Sequence, residues 1–275
     1  MKYLIIIGLA VSSLAGQAQV ESASLDMRPW YSTYINKRIN HRWSADMFGL
    51  VAMRSMDNDF WLTQVNVGMN YRINRFWTFY FGYGHARYKY TGAWWDRHYP
   101  DLEPGIFNTV GFNSVNLSLK RLDPIGRNFS MSNRFIVQKY FPRFEKYGTR
   151  LQYALRFDYR RRNLPLAFRP FVQGAIFYYL DGVPANYYDE DFEVVDFASP
   201  DGLHRYRVRI GFRVNPIPSN RRLNMVFYWG YNREFNGSGN DLNFERPSAS
   251  GRRTFITYPF NNYSILGVQL NLFLR

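Results

Sequence analysis

The chain has 275 residues, no cysteine, 35 Lys and Arg against 21 Asp and Glu, and a formal net charge of +14. The length fits one domain. The absence of cysteine rules out a disulfide-stapled scaffold, and the mean hydropathy of -0.39 rules out a helical membrane protein but not a barrel, whose strands alternate apolar with polar residues.

The first predicted element is a leader. Lys2 precedes an apolar run from Leu4 to Leu14, and Gly16, Gln17 and Ala18 supply small residues at a cleavage site. Residues 1–18 therefore read as a secretory signal peptide that leaves Gln19 as the new start. The next residues alternate: Leu25, Met27, Tyr31 and Ile35 against Ser24, Asp26, Arg28 and Ser32. A strand follows from Trp43 to Arg54, then one with Trp61, Val65, Val67, Met69 and Tyr71 on one face and Gln64, Asn66, Asn70 and Arg72 on the other. Asn74-Arg75 is a tight turn. Beyond it Trp77, Phe79, Phe81 and Tyr83 alternate with Thr78, Tyr80, Gly82 and Gly84, where glycines let large neighbours fold over them.

A long connection, about 91–108, leads to Val115, Leu117 and Leu119. Asp123 to Gly126 reads as a turn, and Phe129 to Tyr140 as a strand with Ser130, Ser132, Arg134 and Gln138 on its polar face. Leu151, Tyr153, Leu155, Phe157 and Tyr159 then alternate with Gln152, Ala154, Arg156 and Asp158. The stretch from Phe168 to Leu180 reads as a strand with two indistinguishable faces. A second long loop, about 181–202, precedes Tyr206, Val208, Ile210, Phe212 and Val214, with Arg205, Arg207, Arg209 and Arg213 opposite. Leu223 to Tyr231 forms another strand. A third long loop, about 234–262, contains a stretch from Arg253 to Tyr258 suited to pairing. Leu266, Val268, Leu270, Leu272 and Leu274 close the chain, with Gln269 and Asn271 facing the other way.

Short and long connections alternate through the second half, as they do in barrels with tight periplasmic turns and long external loops. The pattern predicts an all-β, antiparallel outer-membrane β-barrel of 10–12 strands over residues 19–275, with apolar faces toward lipid and arginines toward a lumen. Eleven strands can be counted, and the even number usual for bacterial single-chain barrels predicts ten or twelve. Abundant Tyr, Trp and Phe suit aromatic girdles, whereas a soluble sandwich would hold them in its core.

Four stretches carry a resemblance: Ile39-Asn-His-Arg-Trp-Ser-Ala with Arg54 downstream, Val67-Gly-Met-Asn-Tyr-Arg-Ile-Asn74, Ser132-Asn-Arg-Phe135, and His204-Arg-Tyr-Arg-Val-Arg-Ile-Gly-Phe212. In these the chain resembles the bacterial family labelled domain of unknown function 2490 (DUF2490), predicted outer-membrane barrels, over most of the mature length. The resemblance implies an outer-membrane location in a Gram-negative bacterium after export by the general secretory route. It implies no activity and no cofactor. The C-terminus, Phe273-Leu-Arg275, departs from the terminal aromatic common in such barrels.

The four histidines are His41, His85, His98 and His204. None lies in a Ser/His/acid cluster in sequence, and no spacing reads as a transition-metal site, so no catalytic, cofactor or metal residue is assigned. Asp189, Glu190 and Asp191 form an acidic loop that could hold a divalent cation, stay solvated, or fold over a basic mouth. The strongest site candidates are the arginines predicted to line the lumen: Arg72, Arg134, Arg150, Arg156, Arg160, Arg205, Arg207, Arg209 and Arg213. Only Asp46 and Asp158 face them. The expectation is a structural barrel or a narrow, porin-like pore for anions and small solutes, with no enzymatic role. Its partners would be outer-membrane lipid, lipopolysaccharide, the barrel-assembly machinery and anionic solutes; an exported protein argues against nucleic acid. The alternatives are a barrel enzyme that modifies lipid or lipopolysaccharide, and a soluble exported lipid- or ligand-binding β protein.

Overall fold

Eleven strands close into one barrel in the computed structural model. The described residues are 27–53, 60–89, 109–141, 147–160, 164–182, 185–188, 194–198, 201–217, 220, 222–234, 246–247, 253–256 and 263–274. The expected leader and the acidic loop lie outside them. The wall is built from β1 (Met27–Arg38), β2 (Trp43–Met53), β3 (Phe60–Arg72), β4 (Trp77–Lys89), β5 (Thr109–Ile125), β6 (Phe129–Phe141), β7 (Tyr147–Tyr159) and β8 (Arg169–Gly182). It is completed by β11 (Gly202–Val214), β12 (Leu223–Glu234) and β15 (Tyr263–Leu274).

Ten of the neighbouring pairs are antiparallel, and β1 closes on β15 in parallel, from Met27 opposite Ser264 to Lys37 opposite Leu274. The expected even count therefore fails, as does a wholly antiparallel wall. The segment before Trp43 is an ordinary wall strand. An odd number of up-and-down strands leaves the first and last running the same way, and a parallel pair is the only way to close them. As a result β1 begins at the rim of the long loops and β15 ends at the rim of the short turns.

The short-turn rim is built by asparagines. Asn40 Oδ1 accepts the backbone N–H of Arg42 and Trp43, both at 2.9 Å. Asn74 Oδ1 does the same for Phe76 and Trp77, and Asn220 Oδ1 takes Arg222 N–H at 3.0 Å. Such side chains mimic a backbone turn and fix hairpin register. Strand β5 runs past the expected turn to Ile125, and Gly126 supplies the positive φ of 59° that the reversal needs.

Two of the long connections carry strands of their own. β9 (Ala185–Tyr188) and β10 (Val194–Ala198) lie between β8 and β11; β13 (Arg246–Pro247) and β14 (Arg253–Ile256) lie between β12 and β15. They pair in the order β10-β9-β14-β13, so one long connection is hydrogen-bonded to the other. The expected pairing near Arg253 is thus present.

Strand faces follow the alternation. In β7, Tyr153 is exposed on the outside while Ala154 is buried inside. In β8 the undecided faces resolve: Phe171, Ala175, Phe177 and Tyr179 are buried, and Val172, Ile176, Tyr178 and Leu180 are exposed. Both faces are apolar there because the lumen itself takes aromatic side chains.

Close ring-over-glycine packing shapes the inner wall. A Cβ on Gly68 would sit 2.5 Å from the Phe81 carbonyl oxygen and 2.6 Å from the Tyr80 ring. The Tyr228 ring covers Gly267 in the same manner. Gly68→Ala will lower stability by about 1–3 kcal/mol, the usual cost of overpacking where a backbone atom cannot give way. A shift of the denaturant midpoint at constant slope measures it.

Candidate functional site

The buried side chains point into the lumen, and their chemistry divides it. The long-loop half holds two aromatic-rich clusters. One contains Trp30, Leu50, Ala52, Leu62, Tyr263 and Ile265 and extends inward to Phe171 and Tyr228. The other contains Phe112, Tyr140, Tyr147, Phe177 and Tyr179. Tyr147 is fully buried, stacked on Tyr179 at 4.0 Å and edge-on to Tyr140 at 5.6 Å.

Arginines of this half lie on ring faces. Arg207 sits 5.3 Å from the Trp30 ring and 5.2 Å from Phe177, and its Nε donates to Asn232 Oδ1 at 3.2 Å. Arg209 lies 4.8 Å from Tyr228 and 5.7 Å from Trp30. Arg205 faces Phe177 and Tyr179, both at 5.8 Å. Arg150 donates through Nε to Gln138 Oε1 at 2.8 Å and through Nη1 to Tyr147 at 3.2 Å. Gln138 passes the chain on to Asn116 and Ser114. Cation–π contacts and neutral acceptors thus serve these guanidinium groups. The flat guanidinium suits this role better than an ammonium would.

The short-turn half is polar. Arg134 donates from Nε and Nη2 to the buried Ser118 hydroxyl at 3.1 and 3.0 Å, so its side chain points inward, yet the residue is solvent-exposed. Lys120 shares the inward face of β5 with buried Ser114, Asn116 and Ser118 and is exposed as well. Inward and accessible together mean that the lumen keeps free space beside them. A cavity of about 190 Å³ lies here, bounded by Lys120, Leu122, Ser132, Arg156, Asp158, Arg160, Arg169 and Arg213.

The two predicted counter-acids behave differently. Asp158 binds Arg156 through contacts of 2.7, 3.0 and 3.1 Å, and Arg156 also lies 3.8 Å from the Phe171 ring. Asp46 accepts from the Tyr34 hydroxyl at 2.7 Å and from Asn36 Nδ2.

Of the nine arginines predicted for the lumen, Arg134, Arg150, Arg156, Arg205, Arg207, Arg209 and Arg213 point into it, and Arg160, exposed just beyond β7, borders the cavity at its short-turn end. Arg72 is exposed at the short-turn rim, at the end of β3. Lys120 and Arg169 were absent from that set. Lys120 could have been found from the Ser114, Asn116, Ser118 row it continues; Arg169 opens the strand whose faces the sequence left undecided. His85 lies on the outer face with Nδ1 2.9 Å from Asn113 Oδ1, and His41 is exposed in the β1–β2 turn. His98, the His204 side chain, and Asp189, Glu190 and Asp191 fall outside the description.

The arrangement defines a closed β-barrel with a cationic lumen, holding a cavity in one half and packed with arginine and aromatic side chains in the other. No protein-family model matches the chain, and no curated protein matches it.

Proposed function

We propose that the chain is an outer-membrane barrel of a Gram-negative bacterium, and that its lumen is a narrow, anion-selective passage for small solutes. The family it resembles carries no assigned activity, so the function rests on geometry. The observation that carries it is the pair Lys120 and Arg134, pointing inward and still solvent-exposed. Cations beside lumenal water favour anions.

The membrane part draws support from the outer face. Val67, Leu117, Phe135, Ile176, Ile210 and Leu266 are all exposed there. A soluble protein rarely leaves so continuous an apolar belt uncovered. Outward aromatic pairs gather toward both rims: Trp43–Tyr71, Phe129–Tyr159 and Phe168–Phe212 at the short turns, Tyr206–Tyr231 and Tyr83–Phe141 at the long loops. Such girdles suit membrane interfaces. Outward Asn133 accepts the Tyr153 hydroxyl at 2.6 Å, which covers a polar group that lipid could not. Lipid, lipopolysaccharide and the barrel-assembly machinery are partners on this reading.

On this reading the Arg207 guanidinium, placed between Trp30 and Phe177, sets the selectivity of the passage. Reconstituted in a planar bilayer, the protein should conduct weakly and prefer anions. Arg207→Gln combined with Arg209→Gln should keep conduction and bring the anion preference toward unity. A silent barrel, or a preference indifferent to these changes, overturns the pore and leaves a structural barrel.

A further inference from the structure

We propose that the short-turn end of the lumen is a binding site for a tetrahedral oxyanion of the phosphate class, carried by a small soluble solute. The cavity there is about 190 Å³. That is room for such a group together with several waters. Its lining contains Lys120, Arg156, Arg160, Arg169 and Arg213 and a single acid, Asp158. These side chains come from β5, β7, β8 and β11 and the end of β7, an arc of neighbouring strands completed by β6, so their charges converge on one space.

Asp158 is already committed to Arg156 through a two-oxygen contact. Among the described residues, Lys120, Arg160, Arg169 and Arg213 make no ion pair. The Arg213 Nε is buried with no hydrogen-bond partner. A guanidinium nitrogen can only donate, and a buried donor without an acceptor marks a place where one belongs. Like charges brought together in a recess repel, and a doubly charged anion relieves several of them at once. Guanidinium forks match tetrahedral oxygens in geometry as well as charge, which chloride does not offer. Ser132, nearly buried, adds a hydroxyl donor to the lining. The site lies on the inner face of the wall, so the phosphate of a surrounding lipid does not reach it.

The proposal rests on the lumen described above but not on conduction. Isothermal titration of the detergent-solubilised full chain with inorganic phosphate tests it, at constant ionic strength in chloride. The expected result is saturable binding to one site. Lys120→Gln and Arg213→Gln should each weaken it by roughly tenfold, the usual loss of one charged hydrogen bond. Arg121→Gln removes the same charge from the outside of β5, where Arg121 pairs with Asp123 at 2.8 Å, and should leave binding unchanged. Phosphatidic acid in the micelle should not compete. Absence of saturable binding, equal weakening by all three variants, or competition by the lipid overturns the site. Phosphate binding without conductance removes the pore and keeps the site; anion conductance without phosphate binding does the reverse.

Discussion

Ile210→Arg will destabilise the folded barrel in a lipid bilayer by about 2–4 kcal/mol, the measured range for a cation near the middle of a barrel's outer face. Ile210 is 50% exposed, lies near the middle of β11, and is paired with Trp229 and Val172, which are exposed too. Nothing in the wall blocks a longer side chain, so the whole effect comes from the medium outside. In water the same change at an exposed strand position costs within about 0.5 kcal/mol. Reversible denaturant unfolding from vesicles reads the difference. A cost below about 0.5 kcal/mol in vesicles would count against the membrane reading and for a soluble β protein.

Tyr147→Ala will cost about 3–5 kcal/mol, as truncation of a fully buried large aromatic does. The ring is wholly inaccessible and holds Tyr140 on one side and Tyr179 on the other. Its hydroxyl accepts from Arg150 at 3.2 Å. Removal leaves a cavity in the aromatic half of the lumen and strips an acceptor from a buried guanidinium. Tyr147→Phe keeps the ring and loses the hydroxyl's contacts, that with Arg150 among them, for about 1.5–3 kcal/mol. Unfolding followed by tryptophan fluorescence separates the two. Near-equal losses would place the stability in the hydroxyl network and not in ring packing.

The wall was legible in the sequence because a period of two depends only on neighbours along the chain. The alternation around Tyr153 and Ala154, the arginine face of β11 and the outward leucines of β15 could all be read from it. The parity of the barrel could not. Ten or twelve strands follow from a rule about other barrels, whereas the parallel pairing of β1 with β15 joins residues at opposite ends of the sequence. The division of the lumen was hidden for a related reason. Arg207 meets Trp30 and Phe177 from different strands, and only closure brings the three together. Counting acids against arginines left both a packed interior and an open pore standing. Ring faces and amide oxygens serve the guanidinium groups of one half, and the cavity lies in the other. Arg169 escaped notice because a strand apolar on both faces has no period to read.

The parallel seam also sets the order in which the molecule can be assembled. Ser32 Oγ meets Val268 O at 3.4 Å across 236 positions of sequence. Closing so long a loop costs more chain entropy than any hairpin in the wall, and a parallel pair returns slightly less per residue than an antiparallel one. Antiparallel hairpins can form early from local contacts, while the seam must come last and repay the largest entropic debt. Until it shuts, two unpaired edges stay open to other chains. The pairing of the first and last strands is therefore the contact of longest sequence separation in the wall, and its closure is what leaves the barrel without a free edge.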